Sequence, residues 1–258
     1  MRADTFRKVR PVTQEASPER RAELERRLGE VRARIAKACA AAGRDPDEVE
    51  LLAVTKTISA ADVAALVDLG LVAFGENRAQ EAAAKVEELR ALRPGAPLRW
   101  HFVGGLQRNK AKLVVPWVTR VESVDSPRLA AALDRAVLRA LDEGLRTEPL
   151  PVLVQYSVDG DPDRGGVPDE GLLELADQVA GASGLVLDGL MSVAPLGADV
   201  EESFAAIEAA GRRVRSSHPG ATVLSAGMSG DLDVAIRHGS TVARVGTALV
   251  GDRTLTSR

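Results

Sequence analysis

Eight short apolar runs, separated by longer stretches of helical periodicity, set the tightest limit on what this chain can fold into. The runs span 49–55, 72–74, 99–103, 118–121, 152–157, 185–190, 222–224 and 242–245, and they are rich in Val and Leu. Between them, 60–69, 78–89, 127–140, 170–180 and 201–216 carry helical patterns. Consecutive strands joined through a helix run parallel, because the crossover returns the chain to the same end of the sheet. Eight such units closing on themselves give an α/β fold of the (β/α)8, TIM-barrel type. The alternative is an open doubly wound sheet, which predicts a glycine-rich dinucleotide turn after the first strand. That position holds Thr55-Lys56-Thr57 instead.

The length of 258 residues suits one barrel, a fold of about 250 residues. An extra helix precedes the first strand. Ser17 is placed to cap it, Pro18 occupies its first position, and Leu24, Leu28, Val31 and Ile35 form its apolar stripe. Gly43 and Pro46 end it. Residues 1–16 are polar and aperiodic and are expected to form a flexible arm, leaving 17–258 as a single domain. The barrel pattern stops near Val250-Gly251-Asp252 with a short tail after it, so no second domain is expected.

Composition excludes several classes. The net charge of -3 gives no basic field for nucleic acid, and 3% aromatic residues leave little for base stacking. One cysteine, Cys39, and three scattered histidines suggest neither a disulfide nor a metal cluster. No apolar run is long enough for a signal peptide or a membrane span, which makes the cytoplasm the default compartment.

In barrels of this kind chemistry collects at the C-terminal ends of the strands. Lys56 ends the run Leu51-Leu52-Ala53-Val54-Thr55, where burial would favour a neutral, nucleophilic amine. Alone, a lysine reaching solvent after a strand explains the residue better. After the seventh run, Ser225-Ala226-Gly227-Met228-Ser229-Gly230-Asp231 opens a helix, with Ser229 at the expected N-cap and glycines that permit close backbone approach. The eighth run ends in Arg244-Val245-Gly246-Thr247. Loops after strands seven and eight are the frequent phosphate site of these barrels. An amine at strand one beside a phosphate cradle at strands seven and eight suits a small phosphorylated aldehyde, and pyridoxal 5′-phosphate (PLP) fits. Arg244 would then face the ring nitrogen as a donor that discourages ring protonation; pairing with a nearby carboxylate is the competing reading.

The segments LLAVTK (51–56), FGENRAQE (74–81), WHFVGGLQRNK (100–110), GLMSVAP (189–195) and SAGMSGDLDVAIRHGSTVARVGTALVG (225–251) resemble the YggS/PROSC family of PLP homeostasis proteins, from about residue 20 to the end. The resemblance implies a barrel similar to the N-terminal domain of alanine racemase. It implies that Lys56 forms a Schiff base with PLP, that Ser229, Gly246 and Thr247 hold the phosphate, that Arg244 approaches the ring nitrogen, and that Asn77 lies near the cofactor. Asn77 with Gln80 also reads as a helix-capping pair. His101 lies on the third strand, where a bond to backbone is the plainer role. The chain departs from the family's common forms at Ala226, Gly105, Arg108 and 159–166.

Racemisation through PLP needs a base on each face of the substrate carbon. Lys56 can supply one, but the only tyrosine, Tyr156, has no evident place opposite it. The expectation is therefore a monomeric carrier with no catalytic residues, storing PLP or delivering it to apo PLP-dependent enzymes. A PLP-dependent racemase or lyase is the alternative.

Overall fold

A computed structural model describes residues 15–251. In order these form α1 (Pro18–Ala41), β1 (Glu50–Val54), α2 (Ala60–Asp68), β2 (Ala73–Glu76), α3 (Ala79–Leu92), β3 (Arg99–Phe102), α4 (Ala111–Val114), β4 (Arg120–Val124), α5 (Pro127–Asp142), β5 (Leu150–Tyr156), α6 (Leu172–Ala180), β6 (Leu185–Ser192), α7 (Val200–Ser217), β7 (Val223–Ser225), α8 (Leu232–Arg237), β8 (Val242–Val245) and α9 (Thr247–Val250). The eight strands are parallel and close into a barrel, β8 pairing with β1. Most of the expected arm lies outside the described residues.

Side-chain alternation along each strand divides apolar residues between the barrel wall's two faces. The larger buried cluster, with Phe74, Val121, Val154 and Val245 among its strand residues, packs against helix residues such as Leu66, Leu133 and Ile207. A separate small cluster of Leu52, Ala73 and Val242, flanked by Val103 and Val223, fills the lumen. Residues two apart from these share the inner face: Val54, Gly75, His101, Ser225 and Arg244. At the N-terminal end, Glu50, also of inner parity, pairs with Arg99 at 2.5 Å, and Arg120 pairs with Asp188 at 2.5 Å.

The sequence-level helix α1 forms as expected. Ser17 Oγ accepts from Arg20 N, and Leu24, Leu28, Val31 and Ile35 are buried; each large aliphatic side chain so removed from water contributes about 1.5–3 kcal/mol. The polar face of α1 and the turn after it stitch the last barrel unit in place. Arg34 donates to Ser229 O and Asp233, Arg44 to Ile236 O and Ser240 O, and Arg20 to Val250 O.

A charged clamp joins α7 to α8. His238 Nδ1 meets Glu208 at 2.9 Å and its Nε2 meets Glu201 at 3.0 Å, while the ring stacks on Phe204. Arg237 also pairs with Glu201. Burial pulls the His238 imidazole down, but the two carboxylates outweigh it and raise it above its ordinary 6.5. A raised folded value adds stability that is full below the unfolded value and fades as pH rises through the folded one. The substitution His238→Gln should therefore lower the thermal midpoint clearly at about pH 6 and much less at about pH 9. Equal losses at both would mean that the contact is packing alone.

Candidate cofactor site

The inner-face parity carries three of the sequence's candidates to the C-terminal mouth. Lys56 continues Leu52 and Val54 on β1, Asn77 continues Ala73 and Gly75 on β2, and Arg244 follows Val242 on β8. Because Leu52 is in register with Arg244, the Lys56 strand lies directly beside the Arg244 strand. The turn at Gly246 touches it: a Cβ on Gly246 would lie 3.8 Å from Val54 Cβ and Val54 O. The β7–α8 loop joins the same group, since Arg244 N donates to Gly227 O at 3.1 Å.

Lys56 is exposed, in the turn after β1. The burial expected for it after the apolar run is not realised. Its backbone is nonetheless well held. Thr55 N donates to Gly75 O, Thr55 Oγ1 donates to Glu76 at 2.7 Å, and Lys85 Nζ donates to both Thr55 O and Glu76.

Two capping expectations are corrected. Ser229 is not an N-cap: α8 starts at Leu232, its N-cap is Asp231, and no side chain caps it. Asp231 Oδ1 instead accepts from Met228 N at 2.6 Å, which tightens the loop ahead of the helix and leaves Ser229 half-buried within it. Gly227 is required by packing: its φ is +89° and a Cβ there would strike Ala235. Asn77 caps nothing either, because α3 takes Arg78 as its N-cap without a side-chain bond. Asn77 Oδ1 is buried with no partner among the described residues. After β8, α9 begins at Thr247 with no side-chain cap, and Leu249 N and Val250 N donate to Gly246 O.

Arg244 is buried, and its guanidinium runs across the lumen. Nη1 donates to Ser225 O at 2.6 Å and Ser225 Oγ at 2.7 Å, and Nη2 donates to Ser192 O at 2.6 Å. A guanidinium has five N–H donors; these bonds use three, leaving two without an acceptor among the described residues. Ser225 Oγ in turn donates to Glu122 at 2.5 Å, and the other Glu122 oxygen meets His101 Nδ1 at 2.6 Å. His101 is thus bonded to a carboxylate and not to backbone. Burial pushes the Glu122 carboxyl up, but the His101 hydrogen bond, the Arg244 charge and the Ser225 hydroxyl outweigh it and hold Glu122 below the usual carboxylate range. Burial lowers Arg244, with Glu122 and Asp231 opposing. The competing reading of Arg244 is therefore half realised: a carboxylate is present, but one hydroxyl away.

Glu122 and Ser225 were missed as site residues. The available signal was a carboxylate in the middle of the apolar strand run Val121-Glu122-Ser123-Val124, on its inner parity, which only a buried partner could tolerate. Tyr156 lies on the outer face with its hydroxyl 3.3 Å from Asp169, away from the lumen. The 159–166 loop carries Arg164, which donates to Val193 O and Ala194 O and ties the β5–α6 connection to the β6–α7 connection.

Gly104 sets the position of Asn77. A Cβ there would lie 2.6 Å from Asn77 Cβ and 2.7 Å from Asn77 O. The change Gly104→Ala should cost about 1–3 kcal/mol of stability through overpacking, read as a lower urea midpoint. An unchanged midpoint would show that the contact is easily relaxed.

Comparison with known proteins places this geometry. The family model described as alanine racemase, N-terminal domain, matches residues 27–254. The chain is 49% identical to the pyridoxal phosphate homeostasis protein of Mycobacterium tuberculosis, over 94% of this chain and 97% of that one. PipY of Synechococcus elongatus, solved with PLP bound, superposes with a TM-score of 0.73 at 33% identity, covering 88% of this chain and 100% of that one. Alanine racemase from Corynebacterium glutamicum shares the fold alone, with a TM-score of 0.63 at 14% identity, covering 92% of this chain and 62% of that one. The chain belongs to the family of pyridoxal phosphate homeostasis proteins, built on the barrel of the alanine racemase N-terminal domain.

Proposed function

We propose that this chain binds PLP at the C-terminal mouth of its barrel and serves PLP homeostasis as a carrier, with no reaction of its own. One observation carries the reading furthest: a buried guanidinium with two open donors lies beside two uncapped turns, on the strand paired with that of Lys56. The residues fit the cofactor in a second respect, since Asn77 Oδ1 is a buried acceptor that awaits a donor. Bound PLP supplies an aldehyde that exchanges between amines and a ring that withdraws electrons.

In this reading the Lys56 amine takes the aldehyde carbon. The Ser229 hydroxyl and the Gly246 and Thr247 turn bind the phosphate, and Asn77 lines the same mouth. Arg244 donates to the ring nitrogen and, being unable to yield its proton near neutral pH, keeps the ring a weak electron sink. The exposure of Lys56 favours exchange with an incoming amine. The engagement of the Tyr156 hydroxyl by Asp169 argues against a second base from that residue. The reading takes the protein as a cytoplasmic monomer and apo PLP-dependent enzymes as its recipients.

Loaded protein should restore activity to an apo PLP-dependent enzyme while racemising no common amino acid. Sustained racemisation or lyase turnover, lost in Lys56→Ala, would make it an enzyme instead. Ser229→Ala should weaken PLP binding by about 0.5–1.5 kcal/mol, or more if the bond is charge-assisted, as read by fluorescence titration. Unchanged affinity would remove Ser229 from the phosphate site.

A further inference from the structure

Glu122 and Arg244 stand out among the buried charges, because the two do not meet each other directly. Glu122 has no exposed surface and Arg244 is 5% exposed. Ser225 Oγ stands between them, accepting from Arg244 Nη1 at 2.7 Å and donating to Glu122 at 2.5 Å. A hydroxyl can do both at once, so the bond directions along this chain are fixed by the charges at its ends. His101 closes the far side: against an ionised carboxylate its Nδ1 must carry the proton, so it donates to Glu122 at 2.6 Å. The four side chains come from β3, β4, β7 and β8 and cross the lumen.

Such a chain has a cost that packing alone does not explain, because burying two charges is offset only when partners are well placed. Direct pairing would be the simpler way to neutralise Arg244, and it would use up the donors that the mouth now has free. The relay holds one edge of the guanidinium through Nη1, and Ser192 O holds Nη2, which leaves the remaining donors for a ligand.

We propose that Glu122, oriented by His101 and acting through Ser225, is the positioning residue that keeps Arg244 directed at the ring nitrogen of bound PLP. The inference rests on the PLP-binding reading above. Glu122 touches no ligand; it fixes the donor that does.

The test uses the full-length protein loaded with PLP labelled with nitrogen-15 in the ring, comparing wild type with Arg244→Met, Glu122→Gln and Ser225→Ala. Three quantities are read: the ring-nitrogen resonance, the phosphorus-31 resonance and the dissociation constant. Glu122→Gln and Ser225→Ala should move the ring-nitrogen resonance in the same direction as Arg244→Met. They should leave the phosphorus signal in place and weaken binding roughly two- to thirtyfold. A role confined to stability would lower the melting temperature without moving the ring nitrogen. Wild-type resonance and affinity in folded Glu122→Gln or Ser225→Ala, with Arg244→Met shifted, would overturn the inference alone. If Glu122→Gln does not fold, Ser225→Ala decides, since it deletes one hydroxyl. An unmoved ring nitrogen in Arg244→Met would also overturn it, while leaving Lys56 and the phosphate turns standing. A wild-type protein that takes up no PLP would overturn both this inference and the reading beneath it.

Discussion

The pairing of β8 with β1 is the contact on which the site depends. It joins the two ends of the barrel sequence, and its register sets Leu52 beside Arg244 and Ala53 beside Val245. Alternation along the strands then carries Lys56 to the mouth on the inner parity, next to the turn at Gly246. A slip of one residue between them would set Leu52 beside Ala243 or Val245, so that Lys56 and Arg244 could no longer both face the lumen. The same closure brings the helices on either side of it under α1, whose arginines reach Ser229 O and Val250 O. The extra N-terminal helix therefore braces the units that form the two candidate phosphate turns.

Within the barrel, polarity rises toward the mouth from an apolar waist. Ion pairs of Glu50, Arg99, Arg120 and Asp188 close the N-terminal end. Leu52, Ala73 and Val242 form the waist, and the His101–Glu122–Ser225–Arg244 chain lies on the mouth side. Buried charges of this kind are weak sources of stability, because desolvation cancels most of their attraction. Their value lies in fixing direction: the guanidinium cannot turn without breaking bonds to Ser225 and Ser192.

Much of this was legible in the sequence, for reasons that particular residues make clear. All eight strands were readable because Val and Leu runs stand between amphipathic helices, and β8 matched at both ends. The N-terminus of α1 was readable because Ser17-Pro18 is a local signal. Helix α4, four residues long, was not, since it completes barely one turn and leaves no periodicity. Lys56, Asn77, Ser229, Arg244, Gly246 and Thr247 all follow or end strands at the C-terminal end of the barrel, where the strand-end rule put them. Their local roles were harder. Ser229 and Asn77 looked like caps because cap residues precede helices, but Asp231 and Arg78 took those positions. The partners of Arg244 come from β6 and β7, and Glu122 from β4. Such contacts depend on barrel closure, which no window of sequence contains.

Lys56, as the residue proposed to take the cofactor, is central to the proposed function. Borohydride reduction of PLP-loaded protein, followed by proteolysis and mass mapping, tests this most directly. One pyridoxyl group is expected, on the peptide that carries Lys56, and none on the Lys56→Ala protein. A group fixed on another lysine while Lys56 stays unmodified would contradict it.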